Sequence, residues 1–156
     1  MNKTIKNFLV EDEWKFCVKN LPIIAIDLII KNKKSEILMG IRSNNPAKDF
    51  FFVPGGRILK NENIENAFER ISLNELGNSL KIKDARFLNY YEHFYQNSLW
   101  NLKGISTHYL VLAFEYNARI KDKFNLNNQH KSFQWISKEN KKNFNIHEYA
   151  LNYLDF

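Results

Sequence analysis

The sequence predicts an α+β sandwich, and three observations carry that expectation. A run apolar on both faces, Ile23 to Ile30, has the character of a strand buried on both sides. Ile64, Ala67, Phe68 and Ile71 recur at i, i+3, i+4 and i+7, the spacing of an amphipathic helix. Around them, helical and β-branched stretches follow in the order helix, strands, helix, strands, helix. With 156 residues, 44% hydrophobic and 15% aromatic, the chain fits one domain spanning 1–156 with a sizeable core.

The elements are read in order. Glu11–Asn20 sets Trp14, Phe16, Cys17 and Val18 among acids and lysines, a short helix ended by Leu21-Pro22. The strand Ile23–Ile30 turns through Lys31–Ser35 into a returning strand, Glu36–Arg42, the pattern of a hairpin. Asn44–Asp49, with Pro46, is a loop; Phe50–Val53 is a short strand that runs into Pro54-Gly55-Gly56-Arg57, read as a backbone reversal. Asn61 is the expected cap of a helix with Glu62 and Glu65 in its first turn and Gly77 at its end. Arg86–Gln96 and Thr107–Tyr116 read as long strands, Asn125–Lys131 as a polar loop, Phe133–Ile136 as a short strand and His147–Leu154 as a closing helix.

Composition excludes several classes of function. The single Cys17 allows neither an intramolecular disulfide nor a multi-cysteine metal site. No apolar run approaches the roughly 18 residues that span a bilayer, since Asp27 interrupts the longest. Nothing at the N-terminus reads as an export signal, so a cytoplasmic setting is expected. A net charge of +6 favours anionic partners such as nucleotides or nucleic acid, although the lysines are scattered and form no block.

Five features resist a purely structural reading. Asp27 shares a strand face with Ile23, Ala25 and Ile29, so it is either a satisfied buried acid or faces a wet pocket. Gly55-Gly56 with Arg57 is either an ordinary tight turn or a place where backbone approaches a metal or phosphate. Glu75 falls near the core-facing stripe of its helix, which requires a cation or an arginine unless the helix end frays into solvent. Gln129-His130 in a loop and His93 on an aromatic strand offer a general base, a role imidazole fills at neutral pH. Arg42, Arg57 and Arg70 match phosphate oxygens with a bidentate fork or form surface ion pairs.

Taken together, Gly56, Glu62, Arg70, Glu75 and Gly77 are spaced like the Nudix box, a loop–helix–loop that sets carboxylates beside a diphosphate-bound metal. Ile71 and Asn74 stand where that box has glutamates. The chain resembles the GDP-mannose mannosyl hydrolase branch, whose box is depleted in this way. The likeness runs from Pro22 to Ile136 through Gly40-Ile41-Arg42, Phe52-Val53-Pro54-Gly55-Gly56-Arg57, Ala67-Phe68-Glu69-Arg70, Asn74-Glu75-Leu76-Gly77, Glu92-His93-Phe94-Tyr95, Thr107-His108-Tyr109 and Gln129-His130.

The resemblance implies a Nudix fold, a mixed β-sheet sandwiched between α-helices. It implies one Mg²⁺ per subunit, replaceable by Mn²⁺, on the Gly55 carbonyl, the Glu75 carboxylate and the Gln129 side-chain carbonyl. His130 is then the general base. Arg42, Arg57 and Tyr109 hold the diphosphate leaving group, Asp27 and His93 contact the sugar, and Arg70 orients the helix carboxylates. The implied reaction is hydrolysis of GDP-mannose or GDP-glucose at the anomeric carbon with inversion, releasing GDP. One retained helix carboxylate fits a single metal that offsets charge on the departing diphosphate. A pyrophosphohydrolase attacking phosphorus and a non-catalytic nucleotide-sugar-binding module are the alternatives. The partner is a nucleotide sugar, with neither nucleic acid nor membrane, and the chain is expected to be a homodimer through its N-terminal helix and the 96–106 loop.

Overall fold

The computed structural model describes residues 9–119, 122, 124 and 130–155, excluding the side chains of Trp100, His130 and Lys131. Seven strands form one mixed sheet: β1 (Ile23–Lys31), β2 (Ile37–Arg42), β3 (Phe51–Phe52), β4 (Gly55–Arg57), β5 (Arg86–Tyr95), β6 (Thr107–Asn117) and β7 (His130–Ile136). The order is β3-β2-β1-β6-β5. Along one edge β1 pairs in parallel with β6; along the other it meets β2 at Lys31–Ile37 and β4 at Ala25–Arg57, both antiparallel. β7 pairs with β2 and runs its first residue opposite Arg42.

Alternation along β1 explains the layers. Ile26, Leu28 and Ile30 face α2 (Ile64–Leu76) and pack with Ala67, Phe68, Ile71 and Leu76. Ile29 faces the other side and packs with Ala150, Tyr153 and Leu154 of the C-terminal segment. That segment is α3 (Glu148–Leu151) followed by a 3₁₀ turn, Asn152–Asp155. A third cluster joins Trp14 and Val18 of α1 (Glu11–Asn20) to Ile105, with Leu99 and Leu102 against it. The sequence-predicted sandwich is therefore observed, with Ala25–Ile30 of β1 buried on both faces and Ile24 48% exposed. Among the described residues no helix is long and apolar enough to cross a membrane.

Four expectations need correction. Gly55–Arg57 is no reversal but an extended strand laid along β1; Gly55 allows close approach of the two backbones, and Gly56 makes room for the Ile71 side chain. The cap of α2 is Asn63, whose side chain accepts from Asn66 N–H at 2.8 Å, while Asn61 sits in a left-handed turn at φ 66°. Glu62 thus precedes the helix and is free to reach an arginine, and Ile64, at the exposed first turn, does not join the core stripe. His130 and Lys131 begin β7 instead of ending a loop, because the Arg42 end of β2 offers them a pairing partner. The closing helix is a single turn: His147 caps it through Nδ1, and the chain tightens to 3₁₀ after Leu151. Gly77 ends α2 at φ 65°, with its N–H on the Leu73 carbonyl, as its position predicts.

Candidate functional site

The pairing of β1 with β4 builds the floor of the site. Leu28 N–H donates to the Pro54 carbonyl at 2.8 Å and Ile58 N–H to the Ile24 carbonyl at 2.9 Å. Bonded pairs alternate in an antiparallel ladder, so Ile26–Gly56 is bonded and Asp27–Gly55 is a narrow pair without ladder bonds. A Cβ on Gly55 would stand 2.6 Å from the Ile26 carbonyl oxygen and 2.7 Å from Asp27 Oδ1, so only glycine fits. Gly55→Ala is expected to destabilise the fold by about 1–3 kcal/mol or more, read as a lower denaturant midpoint at unchanged slope.

The same register turns the Gly55 carbonyl away from β1, the side on which the Arg57 carbonyl accepts from Arg70 Nη2 at 2.9 Å. Arg70 in turn forks onto Glu62, Nε to Oε1 at 2.6 Å and Nη2 to Oε2 at 2.8 Å. That pairing holds the Glu62 carboxyl below its ordinary range and locks α2 against β4. Ile71 packs directly over Gly56, where an added Cβ would lie 3.2 Å from its Cγ1, so an apolar plug fills the place where a second helix carboxylate is expected.

Above this floor is a cavity of about 580 Å³, within the range of small-molecule sites. Every described residue that the sequence singled out for substrate or metal lines it: Asp27, Arg42, Gly55, Arg57, Glu75, His93 and Tyr109. Arg70 does not line it; the carboxylate it holds, Glu62, precedes α2. Gln129 lies outside the described residues, as does the side chain of His130, whose backbone opposes Arg42.

One end of the cavity is cationic. Arg42 donates from Nε to the Pro46 carbonyl at 2.8 Å, which anchors one edge of its guanidinium to the Ser43–Pro46 loop. Arg57 lies over the Trp14 ring, 5.2 Å from its centroid. Burial, then Arg70, pulls the Arg57 guanidinium below its ordinary value. Burial lifts the Tyr109 hydroxyl while the fields of Arg42 and Arg57 oppose the rise, so all three groups are within electrostatic reach of one another.

The other polar groups are held in low dielectric. Asp27 is pushed up to about 7 by burial, against a hydrogen bond from Tyr153 and the charge of Arg42. Burial, with His147 nearby, draws His93 down to about 4, which keeps its imidazole neutral. His93 stacks flat on Tyr149 at 4.2 Å and meets Phe52 edge-on. Glu75 is buried near the end of α2 and opens onto the cavity, as its angular position on the helix predicts.

The donors fit a hard divalent cation: one backbone carbonyl directed away from its own ladder, Gly55, and one carboxylate, Glu75, on the same cavity wall. Among the described residues no three His, Cys, Asp or Glu side chains gather into a metal-binding group.

Sequence reasoning missed four contributors: Trp14, Tyr95, Tyr149 and Tyr153. Trp14 reads in sequence as helix packing, and nothing local marks it as the platform for Arg57. A signal for Tyr153 did exist: a buried Asp27 needs a donor, and Tyr149 and Tyr153 share one helical face four residues apart.

The chain matches the NUDIX domain family over residues 21–152. It is 36% identical over 146 residues to the low-salt glycan biosynthesis protein Agl8 of Haloferax volcanii, an alignment covering 93% of this chain and 88% of that one. Solved structures share the fold at low identity. The MutT protein of Methanosarcina mazei Go1 superposes with a TM-score of 0.63 at 18% identity, covering 86% of this chain and 91% of the other. The NUDIX domain of Shewanella oneidensis NrtR, complexed with ADP ribose, gives 0.63 at 13% identity, covering 94% and 96%.

Proposed function

The chain belongs to the Nudix family of hydrolases, and from that premise we propose that it hydrolyses GDP-mannose to GDP and mannose, with GDP-glucose a second substrate. One observation carries this reading: Arg42, Arg57 and Tyr109 converge on a single cavity that also holds a neutral His93 and the buried Asp27, beside only one helix carboxylate, Glu75. The cationic groups suit a diphosphate, and Asp27 with His93 suits sugar hydroxyls. The name of the Haloferax volcanii relative refers to glycan biosynthesis, and nucleotide sugars are the activated donors of such chemistry.

In this reading the Gly55 carbonyl, Glu75 and Gln129 hold one Mg²⁺, which Mn²⁺ can replace. An ion held there would supply positive charge to the diphosphate. Arg42, Arg57 and Tyr109 donate hydrogen bonds to the same oxygens and strengthen as GDP departs. His130 takes a proton from water on the opposite side of the sugar, and a single displacement inverts the anomeric carbon. Ile71 over Gly56 disfavours a multi-metal attack on phosphorus, because a carboxylate is replaced by a methyl-lined plug.

Proton and phosphorus NMR of GDP-mannose with Mg²⁺ in ¹⁸O-labelled water tests the bond cleaved. GDP with labelled β-mannose is expected; GMP with mannose 1-phosphate would overturn the reading. Glu75→Gln is expected to weaken Mn²⁺ binding in the presence of GDP by at least about tenfold in calorimetry.

A homodimer is part of the same proposal. The two elements proposed for its interface pack on each other within the chain, Trp14 and Val18 against Ile105, so contact between copies would fall to outward residues such as Phe16, which is 67% exposed. Sedimentation of the wild type and Phe16→Glu tests it, with a monomeric wild type as the contrary result.

A further inference from the structure

The carboxylate of Asp27 has two oxygens with different fates. Oδ2 accepts from the Tyr153 hydroxyl at 2.7 Å in a buried contact. Oδ1 lies against the Gly55 backbone, in the floor of the cavity. Tyr153 is fully buried in the C-terminal 3₁₀ turn, and its ring is wedged edge-on against Tyr91 at 5.3 Å, so its hydroxyl has a fixed position.

The same short segment carries a second support. Tyr149 stacks under His93, and its own hydroxyl is clasped to β5 from both sides: it donates to the Phe94 carbonyl and accepts from Phe94 N–H, each at 3.0 Å. One turn of helix and the 3₁₀ turn after it therefore touch both polar groups assigned to the sugar. Neither tyrosine lines the cavity.

We propose that Tyr153 is a positioning residue for the hexose-binding carboxylate: by holding Oδ2 of Asp27 it fixes the carboxylate plane and presents Oδ1 to the sugar. This rests on the nucleotide-sugar reading above and extends it to a residue outside the cavity. Without the hydroxyl, Asp27 is left beside a Phe ring and can rotate about χ2, so Oδ1 no longer has one direction. A small displacement of a binding group lowers turnover while the rest of the site still binds.

The test is a double-mutant cycle of Tyr153→Phe and Asp27→Asn, with kcat and KM on GDP-mannose and the affinity for GDP by calorimetry. GDP lacks the hexose, so its affinity reports the diphosphate end alone. Tyr153→Phe is expected to lower kcat/KM about tenfold while GDP affinity stays within twofold, and to add less than twofold in the Asp27→Asn background, where the hydroxyl still has an acceptor but no charge is left to direct at the sugar. Kinetics within twofold of wild type overturn the proposal. So does an equal loss in both backgrounds, or a parallel fall in GDP affinity, which would show a merely structural role. A wild type that binds GDP but hydrolyses no nucleotide sugar overturns the functional reading, and the proposal falls with it.

Discussion

For the proposed reaction, His130→Gln is expected to lower turnover of GDP-mannose by about a hundredfold or more while GDP still binds. The expectation rests on placement and chemistry together. β7 starts at His130, directly across the ladder from Arg42, and Arg42 lines the cavity. The strand thus delivers this residue to the rim of the site. Glutamine keeps hydrogen-bonding capacity and comparable length but cannot accept a proton near neutral pH, so the variant separates proton transfer from positioning. An imidazole base must be neutral to act, so wild-type kcat rises with pH through an acid limb; the variant loses the imidazole contribution and keeps only the rise that follows ionisation of Asp27, pushed up to about 7 by burial. Single-turnover kinetics over pH 5–9 measure both effects. Wild-type turnover in His130→Gln would remove this residue as the base.

How much of this was visible in the sequence varies with the range of the interaction. The double-sided burial of β1, the core stripe of α2 and the Gly77 stop depend on spacing within one element, and the chain shows them. Glu75 was legible for the same reason: about 100° per residue places it on the inner face wherever the helix packs. Gly55-Gly56 was misread because glycine serves tight turns and close approach alike. Only the narrow pairing opposite Asp27 separates the two, and that is a fact about β1.

Arg57 on Trp14, His93 on Tyr149 and Asp27 with Tyr153 join residues far apart in sequence, the last across 126 positions. No local pattern contains the pairings, although the need of a buried Asp27 for a donor pointed toward a partner such as Tyr153. Residue chemistry singled out Asp27, Arg42, Gly55, Arg57, Glu75 and His93, and the resemblance to a known family added Tyr109 and the roles of the set. The resemblance was silent on the tryptophan and tyrosines that hold them, which are framework contacts formed by the closing of α1 and α3 over the sheet.

Asp27→Asn moves stability and activity in opposite directions. In the folded chain the carboxyl is pushed up to about 7 from 3.8, chiefly by burial. A group whose folded value is raised stabilises fully below its unfolded value, and that contribution is lost as pH rises through the folded one. The wild type therefore gives up stability between pH 3.8 and about 7 on account of Asp27. His93 acts with the other sign: burial lowers it to about 4 from 6.5, so its contribution is present above 6.5 and is lost as pH falls toward 4. Burial lowers His147 as well, with the same sign. The two slopes oppose one another in the wild type. Asparagine cannot ionise, and it can still accept from the Tyr153 hydroxyl. Asp27→Asn is therefore expected to be about 2–4 kcal/mol more stable than wild type at pH 8, close to it at pH 4, and to show the uncovered histidine slope between. Urea unfolding at pH 4, 6 and 8, without Mg²⁺ or nucleotide, measures this. In the proposed reaction turnover is expected to fall by about a hundredfold, because the charge assigned to the sugar is gone. A variant less stable than wild type at pH 8 would mean that Arg42 more than offsets the burial of an ionised Asp27. In that event the carboxylate would be a structural ion-pair partner, and the cost of burying it could not be attributed to function.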